Sequence, residues 1–321
     1  MKALICRHYG SITSLVFEDT SIPRIGDDEV LIEVSYAGVN FPDVLIVEGK
    51  YQFKPELPFV PGGEVSGKVI ATGHDVKSLK VGDIVATAMG WGGFAQFVAA
   101  KASNTFKLPS EDYLREGAVV LETYGTAIHA LVDRAQLQEG ETLAVLGASG
   151  GTGIAAIQIG KVLGAKVIAI ASTKEKLMFA RDSGADHQIN YVQDDLKEEL
   201  KSLGGVDVIF DPVGGSASEP AFRSLNPFGR HLVVGFASGE IPKMPWHLPL
   251  LKSASIVGVF WGQFWRNYPE RNRKNIEQVF DWIDEGKLKP KITREFTLSD
   301  GIKALKELKE RKVTGKIVLK V

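Results

Sequence analysis

The sequence predicts an α/β protein of two domains, one β-rich and one built on a doubly wound parallel sheet. Three observations support this. The first ~120 residues hold short apolar or alternating runs broken by Gly, Pro and Asp, the punctuation of strands and turns. Between residues 142 and 260, strand-like runs alternate with helix-like ones, as a parallel sheet with crossover helices requires. A glycine-rich turn stands where the first strand of that series meets its first helix.

In chain order, Met1-Lys2-Ala3-Leu4-Ile5-Cys6 reads as a strand, and residues 29–36, 65–71, 84–88 and 94–99 as four more. Residues 53–63, rich in Pro and Gly, read as an irregular loop. Strands follow at 142–146, 166–171, 187–191, 206–211, 230–236 and 255–260, with helices at 151–163, 174–183 and 194–203 joining the first four. Ile276, Val279, Phe280 and Ile283 fall at i, i+3, i+4 and i+7 and mark an amphipathic helix. Ile302, Leu305 and Leu308 mark another, and 316–321 reads as a closing strand. There is no internal repeat or low-complexity segment.

Of the 321 residues, 44% are apolar and 24% charged, and the formal net charge is −1. That is the mix of an ordinary globular chain, without the cationic excess of a nucleic-acid or membrane-surface protein. The single cysteine, Cys6, excludes an internal disulfide and a multi-cysteine zinc site and fits a reducing compartment. The N-terminal run lacks the long apolar stretch of a signal peptide, and no window of about 18 uninterrupted apolar residues occurs. A cytoplasmic location is expected.

The most informative segment is Val145-Leu146-Gly147-Ala148-Ser149-Gly150-Gly151-Thr152-Gly153. Glycines there let the chain turn tightly and let backbone approach a pyrophosphate, whose charge meets the free N–H groups of the helix N-terminus. The spacing is G-x-x-G-x-x-G over Gly147, Gly150 and Gly153. Its context of strand, turn, helix and strand distinguishes it from a glycine-rich turn that binds nothing. The next strand tip reports which dinucleotide. A site for NAD places Asp or Glu there, roughly 20 residues on, to bind the ribose 2′-OH. Here the chain reads Ala171-Ser172-Thr173-Lys174-Glu175-Lys176, with hydroxyls and lysines at the tip. This suits a 2′-phosphate, so NADPH is the expected cofactor, while one hydroxyl can also cap the following helix.

With these residues in view, the chain resembles the zinc-free quinone oxidoreductases of the medium-chain dehydrogenase/reductase superfamily, the group that includes zeta-crystallin. The likeness rests on Ala37-Gly38-Val39-Asn40-Phe41-Pro42-Asp43, Leu57-Pro58-Phe59-Val60-Pro61-Gly62-Gly63-Glu64, Val81-Gly82-Asp83, the glycine turn, Asp211-Pro212-Val213-Gly214-Gly215 and Thr314-Gly315-Lys316-Ile317-Val318. It implies a GroES-like catalytic domain from 1–121 and 266–321, a Rossmann domain over 122–265, and a homodimer. Zinc-dependent relatives have a cysteine where this chain has Asn40 and a histidine where it has Gly63; neither can serve as the usual ligand, so no metal is expected.

The resemblance also assigns roles. Asn40 is expected at the nicotinamide ribose, or alternatively as a turn residue. Asp43 is a candidate for acid–base work, with support of local structure as the favoured alternative; Leu45 stands where many relatives have a tyrosine, which leaves Tyr51 as the remaining proton-donor candidate, with packing as its equal alternative. Cofactor contacts are expected from Thr126, Ser149, Gly150, Gly151, Thr152, Gly153, Ser172, Lys176, Tyr191, Val213, Gly235, Phe236, Ser238, Phe260 and Trp261, the aromatic ones with core packing as the alternative. Lys316 is expected near the cofactor or as a surface lysine. The implied activity is NADPH-dependent reduction of quinones or activated α,β-unsaturated carbonyls. The alternatives are an enoyl-thioester reductase, and a non-enzymatic NADPH- or RNA-binding protein using the basic stretch Lys303, Lys306, Lys309, Arg311 and Lys312, which Glu307 and Glu310 interrupt.

Overall fold

The strand Glu29–Val39 organises the first half of the fold. Its apolar residues Val30, Ile32 and Val34 point to one core, and a register shift between Val34 and Tyr36 then changes the phase so that Ala37 and Val39 continue it. Along one side it pairs with Glu64–Thr72. Along the other it pairs first with Phe97–Lys101 and then with Lys316–Lys320, so the last strand of the chain closes a sheet begun by the first hundred residues. Ile292–Thr297, Ile84–Ala88 and Thr105–Lys107 complete this seven-stranded sheet, and Lys2–Ile5 pairs separately with Val16–Asp19.

The computed structural model describes residues 1–321 as two units, 1–122 with 292–321, and 123–291. The second unit is a six-stranded parallel sheet ordered His187–Asn190, Lys166–Ala171, Thr142–Leu146, Val206–Asp211, Leu225–Val233, Ser255–Gly258. In sequence order that is 3-2-1-4-5-6, the doubly wound order in which ligands bind where the strand order reverses. The reversal lies between Thr142–Leu146 and Val206–Asp211.

The expected α/β class and both sheets are present. The C-terminal boundary is corrected: residues 266–291, expected with the β-rich domain, belong to the second unit. The helix Pro269–Asp284 buries Ile276 and Val279 there. Its Asn272 accepts a hydrogen bond from Trp261 Nε1 at 2.8 Å, and Asn275 donates to Asp133 at 2.7 Å. Amphipathicity showed a buried face but not which core would receive it. Two further elements escaped the sequence. The helix Leu114–Ile128 buries Ala118 to Leu121 without a break, so no helical period is visible. Strand Leu225–Val233 starts five residues earlier than expected, because it runs through Pro227 and Gly229, residue types that ordinarily punctuate strands.

Candidate functional site

In the second unit the glycine turn joins strand Thr142–Leu146 to helix Gly151–Val162. Gly147 takes φ +61°, a left-handed conformation natural to glycine. A Cβ on Gly153 would lie 2.4 Å from the Gly147 carbonyl oxygen, so helix and turn can approach this closely only without a side chain. The N-cap residue is Gly150, and no side chain caps the helix, which leaves its first N–H groups free for an anion. A Cβ on Gly147 would meet Val213 at 2.7 Å, so the turns leaving the two switch-point strands touch, placing Val213 beside the glycine cradle. These are features a dinucleotide pyrophosphate requires.

The neighbouring strand Lys166–Ala171 pairs in register with Thr142–Leu146, Ile170 opposite Leu146. Ser172 therefore leaves the sheet at the same end as the glycine turn. Lys176 Nζ lies 3.5 Å from Ser172 Oγ, and Thr173 is the N-cap, accepting from the Lys176 amide at 3.3 Å. The hydroxyls thus divide the two roles open from sequence: Thr173 caps, and Ser172 sits with a lysine. Tyr191, Phe236 and Phe260 present exposed rings. Thr126, Ser149, Gly235 and Ser238 also lie in this unit. Trp261 is buried, its ring 2.8 Å from where a Gly125 Cβ would stand and its indole N–H held by Asn272, so it packs as core.

The first unit holds a buried charged cluster made by strand register. Gly38 pairs with Glu64 on one side and Val318 on the other, which brings Asn40, Glu64 and Lys316 together just beyond. A Cβ on Gly38 would lie 2.7 Å from Glu64 Oε1 and far closer to the Ala118 carbonyl, so only glycine fits. Glu64 is fully buried and Lys316 is 6% exposed. Lys316 Nζ donates to Glu64 Oε1 at 2.9 Å, to the Val39 carbonyl at 3.2 Å and to Asn40 Oδ1. All three of its donors point inward, so it is not a surface lysine: it neutralises Glu64 and fixes the Asn40 amide. Asn40 Nδ2 donates in turn to Glu64 Oε1 at 2.8 Å.

Asp43, in the helix Phe41–Val47, accepts from the Asn40 amide at 2.7 Å and from the Gly63 backbone. Burial raises its carboxyl to about 7, against those two hydrogen bonds and Lys316. Tyr51 packs against the first unit's apolar core with its ring tilted on Phe53. Two members of the cluster were not singled out from sequence. Glu64 was visible only as part of a motif. Glu122 stands alone after the apolar run Ala118-Val119-Val120-Leu121, and a lone carboxylate there was the available signal. Its amide donates to Glu64 Oε2 at 3.0 Å. Burial, then Glu64 and Asp43, push its carboxyl up to about 8.

No group of three or more His, Cys, Asp or Glu side chains is arranged to hold a metal ion, and no helix is long and apolar enough to cross a membrane. Cations of the C-terminal basic stretch are largely engaged: Lys309 pairs with Glu48, Lys312 with Glu310, and Lys303 lies over Phe296. That arrangement is a solvated, charge-balanced face.

Residues 151–285 match the family model of zinc-binding dehydrogenases, and 26–110 that of the alcohol dehydrogenase GroES-like domain. The chain is 40% identical to quinone oxidoreductase-like protein 2 of Bos taurus, over 95% of this chain and 88% of the bovine one. Among solved structures, mycobacterial Rv1454c complexed with NADPH superposes with a TM-score of 0.93 at 30% identity, over the full length of both chains. The Escherichia coli quinone oxidoreductase complexed with NADPH gives 0.93 at 26% identity, again over both full lengths.

Proposed function

The chain belongs to the quinone oxidoreductase family of the medium-chain dehydrogenase/reductase superfamily, and from that premise we propose that it is an NADPH-dependent reductase of quinones or other activated α,β-unsaturated carbonyls, working without a metal. The observation that carries this is the pairing of Ser172 with Lys176 at the sheet end that holds the glycine turn. A carboxylate there would repel a 2′-phosphate; a hydroxyl and an ammonium attract it.

When bound, the reduced nicotinamide supplies hydride to an electron-poor acceptor. The chain's own residues do the rest. The free N–H groups at Gly151 to Gly153 hold the pyrophosphate, and Ser172 with Lys176 hold the 2′-phosphate. Asn40, locked by Glu64 and Lys316, presents a pre-oriented amide. Asn40 and Gly63 offer no usual zinc ligand, so polarisation of a simple alcohol is not the chemistry of this site.

The test is NADPH oxidation across a panel of quinones, enones and enoyl thioesters, with product analysis, before and after chelation. Turnover of quinones or enones that survives chelation is the expected result. Turnover confined to thioesters would reassign the substrate, and activity lost together with stoichiometric zinc would overturn the metal-free reading. The expected location is the cytoplasm and the expected assembly a homodimer.

A further inference from the structure

One buried carboxylate in the second unit ties down much of what surrounds the glycine cradle. We propose that Asp211 is a positioning residue for NADPH: its carboxylate holds the turn 212–215 and, through it, the segment 235–238, in the shape that receives the cofactor. The inference rests on the NADPH-binding part of the reading above. It adds the group that shapes the half of the site across the sheet's switch point from Ser172 and Lys176.

Asp211 ends the strand Val206–Asp211, beside the strand that feeds the glycine turn. It is 3% exposed, and both of its carboxylate oxygens are fully used. Oδ1 accepts from the backbone N–H of Val213 at 2.9 Å and of Gly214 at 2.8 Å. Oδ2 accepts from Ser218 Oγ at 2.5 Å and from His231 Nε2 at 3.1 Å. Ser218 and His231 are themselves buried. His231 Nδ1 is buried without a partner, so the ring's proton belongs on Nε2, where it meets the carboxylate. Burial alone would raise the Asp211 carboxyl. His231, Ser218 and the Gly214 amide outweigh that cost and hold it below the ordinary carboxylate value, which makes it an ionised, fixed acceptor.

What the carboxylate grips is the wall of the cradle. Val213, whose amide it holds, is the residue that a Cβ on Gly147 would meet at 2.7 Å. The main chain extends the tie. The Asp211 carbonyl accepts from the Val234 and Gly235 amides at 2.9 and 3.3 Å. The Pro212 carbonyl accepts from Ala237 at 3.1 Å and the Val213 carbonyl from Ser238 at 2.9 Å. One anchor therefore sets two segments, which contain Val213, Gly235, Phe236 and Ser238, four of the residues expected at the cofactor. In the sheet, the strand leading to Ser172 lies on one side of Thr142–Leu146 and the strand ending at Asp211 on the other. A dinucleotide lies across such a switch point. Loss of Asp211 should thus be felt by the part of NADPH beyond the glycine turn and not by its adenosine 2′-phosphate.

The experiment measures binding of two probes to the full-length protein, NADPH by fluorescence and adenosine 2′,5′-bisphosphate by calorimetry, well below each variant's thermal midpoint. Asp211→Ala orphans the Val213 and Gly214 N–H groups. It should raise the Kd for NADPH about tenfold or more, with bisphosphate binding unchanged. Asp211→Asn keeps an oxygen for those two groups but turns its own N–H toward Ser218 and His231, whose ring proton has no other acceptor. It should lose less than Asp211→Ala, and again in NADPH binding alone. If Asp211→Ala does not fold, Asp211→Asn decides. A folded variant that binds NADPH as wild type does, or one in which both probes weaken alike, makes Asp211 a structural carboxylate only and overturns the proposal. The readout needs no turnover. A wild type that binds NADPH but reduces no quinone or enone would end the reductase reading and leave this proposal standing; one that binds no NADPH would end both.

Discussion

Gly63 and Glu122 share one space: a Cβ on Gly63 would stand 2.9 Å from Glu122 Oε1. The obstructing atom is the end of a flexible side chain, so Gly63→Ala should cost under about 1 kcal/mol of stability while displacing the carboxyl. Thermal denaturation of the variant checks this, and a loss of stability well beyond that figure would contradict it.

Asp43 and Glu122 are both raised on folding, to about 7 and about 8. A carboxyl raised in this way binds its proton more tightly in the native state. Its contribution to stability is therefore complete below the unfolded value of about 4 and is lost as pH climbs through about 7 to 8. Glu122→Gln cannot titrate, so its Tm should gain on that of wild type across this interval. Scanning calorimetry at a series of pH values measures the difference, and a constant offset would show that Glu122 ionises at an ordinary carboxylate pH.

Lys316 is the counter-charge for a carboxylate that water does not reach. Lys316→Met leaves Glu64 buried and unpaired, at a cost of about 3–5 kcal/mol. Lys316→Met with Glu64→Gln should be more stable than Lys316→Met alone, because the orphaned charge is gone. Urea denaturation of the two variants decides the matter.

Lys176 touches Ser172 at the expected 2′-phosphate position. A charge-assisted hydrogen bond contributes about 1.5–3 kcal/mol, and ~1.4 kcal/mol is tenfold in affinity. Lys176→Ala should lower kcat/KM for NADPH by roughly ten- to a hundredfold and leave NADH nearly unchanged. Ser172→Asp should shift preference toward NADH. Equal damage to both cofactors would refute the assignment.

Strand Ser255–Gly258 ends the parallel sheet, and the helix His247–Lys252 beside it exposes Leu250 and Leu251 at 77% and 76%. An open strand edge next to exposed leucines favours self-association. Light scattering at micromolar concentration should give a dimer mass, and Ile256→Lys should reduce it to the monomer.

The sequence by itself determined the parallel sheet, the glycine turn and the absence of an acid after Ala171, because each is written in neighbouring residues. Strand length, turn chemistry and the end of one strand are local properties, and Ser172 and Lys176 are one helical turn apart. Only the tertiary structure decided the charged cluster. Asn40, Asp43, Glu64, Glu122 and Lys316 come from four separate stretches of chain, and antiparallel register, which depends on long-range pairing, sets them against one another. The same reason explains Lys316. A lysine at the start of a closing strand reads as a surface charge until the strand's partner is known, and here that partner puts Glu64 and Asn40 within reach of its ammonium. The ownership of residues 266–291 was decided in the same way, since an apolar helix face shows that it will be buried and its packing partners determine where.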